Sequence, residues 1–304
     1  MNRFDATEEE PVLDAAPAAD RPILATDLDG TLIPLDGRPE NRRALQQLVA
    51  ARLQDRFTLV FVTGRHKASI CEVICEQHLP LPDWVISDVG TTIYRAETPF
   101  RLDPVERYQA HLAELTGGRP IEALDELVLA FESTRVQEAE KQGPFKRSYY
   151  ADAEAVPTIA EGIRERLAVE SLPYAVIDSV DPFNGDGLID LLPQNVSKAY
   201  ALQWWSDHID RPREAVVFAG DSGNDLAAFT AGYRAIVVGN TDRQIAAQAA
   251  AAHRERAWHD RLLLAEGYAT SGVLEGCRHF GLIDAEDAFP AEDESPADDQ
   301  SPAD

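Results

Sequence analysis

Five short apolar runs recur along the chain, and each ends in polar or acidic residues. They are PILATDL (22–28), FTLVFVTG (57–64), DWVISDVG (83–90), EAVVFAG (214–220) and YRAIVVGN (233–240). Helical spacing alternates with them at 41–53 behind Pro39, 67–77, 195–208, 224–232, 241–253 and 271–281. Asn240 or Thr241 is the expected cap of the helix at 241–253. A strand–helix rhythm of this kind predicts a parallel sheet. Strands that stay apolar throughout, rather than alternating, predict a sheet covered on both faces.

The rhythm breaks between Gly90 and Lys198. There the spacing predicts a helix over 105–118, a strand over 144–152 and a helix within 153–170. Two further strands, 173–180 and 186–193, flank DPFNG, a turn rich in Asp, Pro, Asn and Gly. The expected fold is α/β: a Rossmann-like parallel-sheet core over 21–94 and 194–282, with an inserted α+β domain over 95–193.

Charge sets the outer limits. The 304 residues carry a formal net charge of −25. Residues 1–20 hold six acids and one arginine, and 283–304 hold nine acids and no base, which leaves −11 for the body. Both ends mix Ala, Pro, Asp and Glu and cannot bury enough surface to offset ordering, so both are expected to be disordered tails. Such a balance argues against binding a nucleic-acid backbone. It leaves a small phosphorylated substrate open, because a metal and a few local cations can dominate a pocket. Cys71, Cys75 and Cys277 form no CxxC pair, and no signal peptide or membrane-spanning run is legible. The expectation is a cytoplasmic protein with reduced thiols and no membrane partner.

In open parallel sheets, ligands sit beyond the carboxyl ends of the strands. Asp27 and Asp29, Thr63 to Arg65, and Asp221 to Asp225 fall there, with Lys198 at a helix start. Carboxylates gathered at one point repel each other unless a cation intervenes. Oxygen ligands without His or Cys favour Mg²⁺ over zinc. Backbone amides after Asp27 are candidates to cradle a phosphate. The blander alternative is a polar turn at 27–29 and an N-cap at 221–225.

DLDGT (27–31), VTGR (62–65), Lys198 and GDSGND (220–225) together resemble the four motifs of the haloacid dehalogenase-like (HAD) phosphatase superfamily, in order and spacing. The insertion before Lys198 resembles the type-two cap of its Cof-like branch. The resemblance implies Asp27 as nucleophile on phosphorus and Asp29 as the acid and base that serves the leaving group and then water. It implies Thr63 and Lys198 holding the transferring phosphoryl group, with Gly64 and Asn224 completing the phosphate site. Mg²⁺ would be bound by Asp27, the backbone carbonyl of Asp29 and Asp221, with Asp225 supporting the metal shell and Lys198.

The cap stretch KRSYY (146–150), the segment LLPQNVSK (191–198) and ATSGVLEG (269–276) resemble the sucrose-phosphate phosphatase group. That likeness implies a disaccharide phosphate as substrate, sucrose 6-phosphate first, with mannosylfructose phosphate and glucosylglycerol phosphate as alternatives. Lys146 and Ser148 would contact the sugar, with Arg65, Asp88, Glu132, Gln194 and Asn195 as further candidates. Association with an upstream sugar-phosphate synthase is a partner expectation that co-purification tests. Two rival classes share the motifs. A phosphomutase would return phosphate to sugar without net release, and a non-catalytic regulatory domain would tolerate loss of core acids, all of which this chain keeps.

Overall fold

The computed structural model of the protein describes residues 21–97, 100–181 and 184–284. The acidic segments 1–20 and 285–304 lie outside the described residues. The first half of the core comprises β1 (Ile23–Thr26), α1 (Pro39–Leu53), β2 (Thr58–Val62), α2 (Lys67–Glu76), β3 (Trp84–Ser87), β4 (Thr92–Glu97), β5 (Arg101–Pro104) and α3 (Glu106–Leu115). The insertion comprises α4 (Asp125–Leu129), β6 (Arg135–Val136), β7 (Arg147–Ala151), α5 (Val156–Val169), β8 (Tyr174–Val180) and β9 (Gly187–Pro193). The chain then returns through α6 (Lys198–His208), β10 (Val216–Gly220), α7 (Leu226–Phe229), β11 (Arg234–Val237), α8 (Arg243–Glu255), β12 (Leu262–Leu264) and α9 (Thr270–His279).

Eight strands form one sheet in the order β12-β11-β10-β1-β2-β3-β4-β5. From β12 to β3 the pairing is parallel, and β4 and β5 add an antiparallel edge. Side chains alternate across the sheet and fill two apolar layers. Leu24, Leu59, Phe61, Val85 and Ile236 meet Leu48 of α1, Ile70 of α2 and Val273 of α9. Ile23, Val60, Val62, Trp84 and Phe218 meet Tyr108 of α3, Trp205 of α6 and Phe229 of α7. Both faces are covered, and this is why the strand sequences carry no polar alternation. Trp84 and Trp205 meet edge to face at 5.9 Å, and burying a side chain of this class stabilises by roughly 1.5–3 kcal/mol.

The insertion forms a second, fully antiparallel sheet in the order β6-β7-β9-β8. One face packs on α4 and α5 through Tyr149, Ile189, Leu191 and Val176. The other face carries Ser148, Asp190 and Ile177, which lie side by side in register. Leu192, Ile177 and Phe145 of the insertion pack into the core layer around Trp205, so this second face is turned toward the core.

Three expectations need correction. The boundary at residue 95 falls inside β4: residues 92–104 add two strands to the core sheet, and α3 packs Tyr108 and Leu112 into the core layer. The reason is a tight reversal after β3. Asp88, Val89 and Gly90 have φ of +51°, +59° and +97° and send the chain back along β3. A Cβ on Gly90 would stand 2.2 Å from the Ser197 carbonyl oxygen, so only glycine fits there. Second, the tail does not start at residue 283, because Leu282 and Ile283 are buried against the layer formed by α1 and α9. Third, the cap of α8 is Asp242, whose carboxylate accepts from the Gln244 amide at 2.7 Å. Cys71, Cys75 and Cys277 are free thiols. Among the described residues no helix is long and apolar enough to cross a membrane.

Candidate active site

The site assembles at the carboxyl ends of β1, β2 and β10, where parallel pairing stops and the backbone turns outward. The Asp27 amide donates to Ala219 O at 2.9 Å and extends the β1–β10 pairing by one residue. This fixes the Asp27 carboxylate at the mouth of the sheet, 5% exposed. Lys198, in the first turn of α6, reaches it at 2.9 Å and reaches Asp225 at 3.0 Å. Ser197 caps that helix by accepting from the Tyr200 amide at 3.2 Å.

Asp225 does two jobs. Its Oδ1 receives Lys198, while its Oδ2 accepts from the amides of Asp221 and Ser222 at 3.2 and 3.1 Å and from Ser222 Oγ at 3.0 Å. The capping reading of Asp225 and the Lys198-supporting reading therefore both hold as geometry. Asp221 accepts from Thr31 Oγ1 at 3.1 Å and from Asn240 Nδ2 at 3.4 Å. Gly30 turns the loop at φ +77°, and a Cβ there would come within 2.3 Å of Asp221 Oδ2. Close approach of the two acidic loops thus requires glycine.

Carboxylate oxygens of Asp27, Asp221 and Asp225 lie within 4.8 Å of one another. The donor set is all oxygen, which fits a hard divalent cation. The electrostatics fit it too. Burial raises the Asp27 carboxyl to about 7, with Lys198 pulling it down and Asp225 pushing it up. Burial likewise raises Asp221 to about 6, and Asp225 adds to the effect. For Lys198, burial opposes the charge, but Asp27 and Asp225 outweigh it and hold the proton above the ordinary lysine range. One ammonium among three carboxylates leaves the cluster short of positive charge, which a divalent ion supplies.

Asp29 stands apart from this cluster. Arg65 grips its carboxylate through two parallel bonds, Nε to Oδ2 at 2.8 Å and Nη2 to Oδ1 at 2.7 Å, and also donates to Ser69 Oγ at 2.7 Å. Asp29 offers no carboxylate oxygen to the three-acid group. Thr63 is buried at the end of β2, its Oγ1 accepting from the Arg65 amide at 3.2 Å. Gly64 and Asn224 are exposed on the loops beside it. The expected amide cradle is narrower than the sequence suggests. The amides of Gly30, Thr31, Leu32 and Ile33 all donate to carbonyls of the same loop, and the Leu28 amide bonds the Asp27 carboxylate.

The cap residues divide into two groups. Lys146 is buried on the core-facing side, donating to Ser148 Oγ at 2.8 Å and pairing with Asp190 Oδ1 at 3.5 Å. Burial raises the carboxyl of Asp88, on the core side, to about 6, against the pull of the Lys146 ammonium. Glu132 is exposed after α4, next to Phe131, which lies under the Arg166 guanidinium on the helical side of the cap. Gln194 and Asn195 are exposed. The Gln194 amide donates to Pro173 O, and the residue lines a cleft of about 400 Å³ with Arg164 and Leu167. So Lys146, Ser148 and Asp190 come together, Glu132 stands beside Phe131 on the helical side of the cap, and Gln194 lines the separate cleft with Arg164 and Leu167.

Sequence reasoning missed Thr31, Asn240 and Asp190. Asn240 was read as a helix cap, yet its Nδ2 donates to Gly30 O at 2.8 Å and its Oδ1 accepts from the Ala269 amide at 2.7 Å, tying three loops together. Asp190 carried a signal in IDLLP, where one acid interrupts an apolar strand.

Comparison with known proteins gives the family and supports the fold. Residues 20–281 match the family model described as sucrose-6F-phosphate phosphohydrolase. A HAD-like hydrolase of Nitrosococcus oceani is 35% identical over 269 residues, 85% of this chain and 71% of the relative. The mannosylfructose-phosphate phosphatase of Agrobacterium fabrum is 28% identical over 265 residues, 86% of this chain and 97% of the relative. The crystal structure of the Synechocystis sucrose-phosphatase, bound to sucrose and phosphate, superposes with a TM-score of 0.66 at 28% identity, covering 86% of this chain and 98% of that one. The match spans the acidic cluster, the Lys198 helix and the inserted sheet alike: the chain is a HAD-like phosphatase and belongs to the sucrose-6F-phosphate phosphohydrolase family.

Proposed function

We propose that the protein is a Mg²⁺-dependent phosphatase that hydrolyses a disaccharide phosphate, sucrose 6-phosphate first among the candidates, through a phosphoaspartate. One observation carries the reading: the buried Asp27 carboxylate is held by Lys198 and closes with Asp221 and Asp225 into one all-oxygen cluster. Asp27 attacks phosphorus in line as the ester oxygen departs. Asp29, once it leaves Arg65 and carries a proton, gives that proton to the departing alkoxide, then takes one from the water that cleaves the phosphoaspartate, returning phosphate and free Asp27. Arg65 sets where the Asp29 carboxyl stands at the rim. Lys198 and Thr63 hold the transferring phosphoryl oxygens, and Lys198 also offsets repulsion between Asp27 and the phosphate dianion. Mg²⁺, when bound by Asp27, Asp221 and the residue 29 carbonyl, supplies further charge against that repulsion. Asp225 keeps Lys198 and the 221–222 amides in register for both tasks.

The cap excludes bulk water and presents polar groups to the sugar. Lys146 and Ser148 donate to its hydroxyls. Phosphate release from a panel of sucrose 6-phosphate, mannosylfructose phosphate, glucosylglycerol phosphate and simple hexose phosphates tests the reading. The expected result is fastest turnover on a disaccharide phosphate and none after Asp27→Asn. Hexose phosphates turning over faster than every disaccharide phosphate would refute the specificity. Near-normal activity of Asp27→Asn would refute the nucleophile.

A further inference from the structure

Burying a polar atom without a partner is expensive, so such atoms mark places where a ligand's groups belong. Two of them lie on adjacent core loops within the electrostatic reach of Lys146: Asp88 Oδ1 and His66 Nδ1, neither of which has a hydrogen-bond partner among the described residues. Asp88 is 5% exposed, and its other oxygen accepts from Ser87 Oγ at 2.9 Å. The backbone that presents it is strained, with Asp88 and Val89 both at positive φ, a region that branched side chains avoid. The Asp88 amide donates to the Arg65 carbonyl at 3.1 Å, which ties this turn to the loop carrying His66.

Lys146 acts on both groups from the cap. Burial lowers the His66 proton affinity most, and the Lys146 ammonium lowers it further, which favours the neutral imidazole with one donor nitrogen and one acceptor. Lys146 is itself steadied by Ser148 and Asp190. The cap side of this junction therefore offers an ammonium donor, and the core side offers a carboxylate acceptor and an imidazole.

Resting on the phosphatase reading above, we propose that Asp88 and His66 form the core-side half of the leaving-group pocket, where they bond hydroxyls of a sugar whose opposite face meets Lys146. Asp88 is then a specificity-determining residue. An ester whose alcohol lacks hydroxyls leaves the buried carboxylate unpaired and is disfavoured, whereas a polyhydroxylated alcohol satisfies it. The chemistry lies on the leaving group and outside the phosphoryl site, because neither residue touches Asp27 or Lys198 through any hydrogen bond or ion pair described.

Steady-state kinetics of the full chain with Mg²⁺ test this on two esters, sucrose 6-phosphate and 4-nitrophenyl phosphate, whose leaving group carries no other hydroxyl. Asn tolerates positive φ, so Asp88→Asn keeps the turn while exchanging an acceptor oxygen for a donor. The expected result is a fall of about tenfold or more in the ratio of kcat/KM on the sugar ester to kcat/KM on 4-nitrophenyl phosphate. His66→Ala should move the same ratio in the same direction, and the nitrophenyl activity reports that each variant is folded. Equal losses on both esters would mean a purely structural role and overturn the proposal. Unchanged kinetics on the sugar ester would overturn it as well. A wild-type protein that released phosphate from neither ester would instead sink the phosphatase reading beneath it.

Discussion

Replacing the nucleophile should make the cation-free protein more stable, by an amount that depends on pH. An ordinary aspartate releases its proton near 3.8, but burial raises Asp27 to about 7. Between those values the folded chain keeps a proton that the unfolded chain has lost, so stability declines as pH climbs through that window. Above pH 7 the accumulated loss is about three pKa units, on the order of 4 kcal/mol. Asn has nearly the same shape and no charge to bury. Asp27→Asn should therefore match wild type near pH 4 and exceed it by up to about 4 kcal/mol at pH 8. Urea unfolding followed by tryptophan fluorescence, in chelator at several pH values, measures the gap. Adding Mg²⁺ should close it from the wild-type side, by about 2.7 kcal/mol at a hundredfold excess over Kd. A gap that stays constant from pH 4 to pH 8, or a variant weaker than wild type at pH 8, would refute the reasoning.

Two other substitutions probe the frame of the site. Gly30→Ala places a Cβ 2.3 Å from Asp221 Oδ2 at a φ of +77°; turnover and the Mg²⁺-dependent rise in stability should both collapse, read by phosphate release and Mg²⁺ titration of the unfolding midpoint. Tyr108→Phe removes the buried hydroxyl that donates to Gly90 O at 2.6 Å; the loss should be about 1–3 kcal/mol in urea unfolding, and a change below a few tenths would show that the reversal after β3 does not depend on that bond.

Much of the core was legible because its elements are periodic and its strands are buried on both faces. The runs at 22–28, 57–64, 83–90, 214–220 and 233–240 all contain strands of the parallel sheet. Asp27, Lys198, Asp221 and Asp225 meet as their positions at strand and helix ends imply. The antiparallel edge was missed because it follows from three consecutive positive φ values at 88–90, and two of those residues are not glycine. Asp29 was legible as a member of the acidic pair and Arg65 as a residue for substrate or for a salt bridge, but which acid Arg65 pairs with was not, since several acids gather at the same strand ends.

The order of apolar runs and the chemistry of the residues that end them determined the sheet, the acidic cluster and the likeness to a phosphatase family. Those are local properties, set by hydrophobic burial and by the need to neutralise close carboxylates. Tertiary structure alone decided which cap face turns toward the core, and hence that Lys146 meets Ser148 and Asp190 while Gln194 lines a separate cleft. The reason is register. In a sheet, a shift of one residue moves a side chain to the opposite face, and only the packed partners of β7 and β9 select which face the core receives.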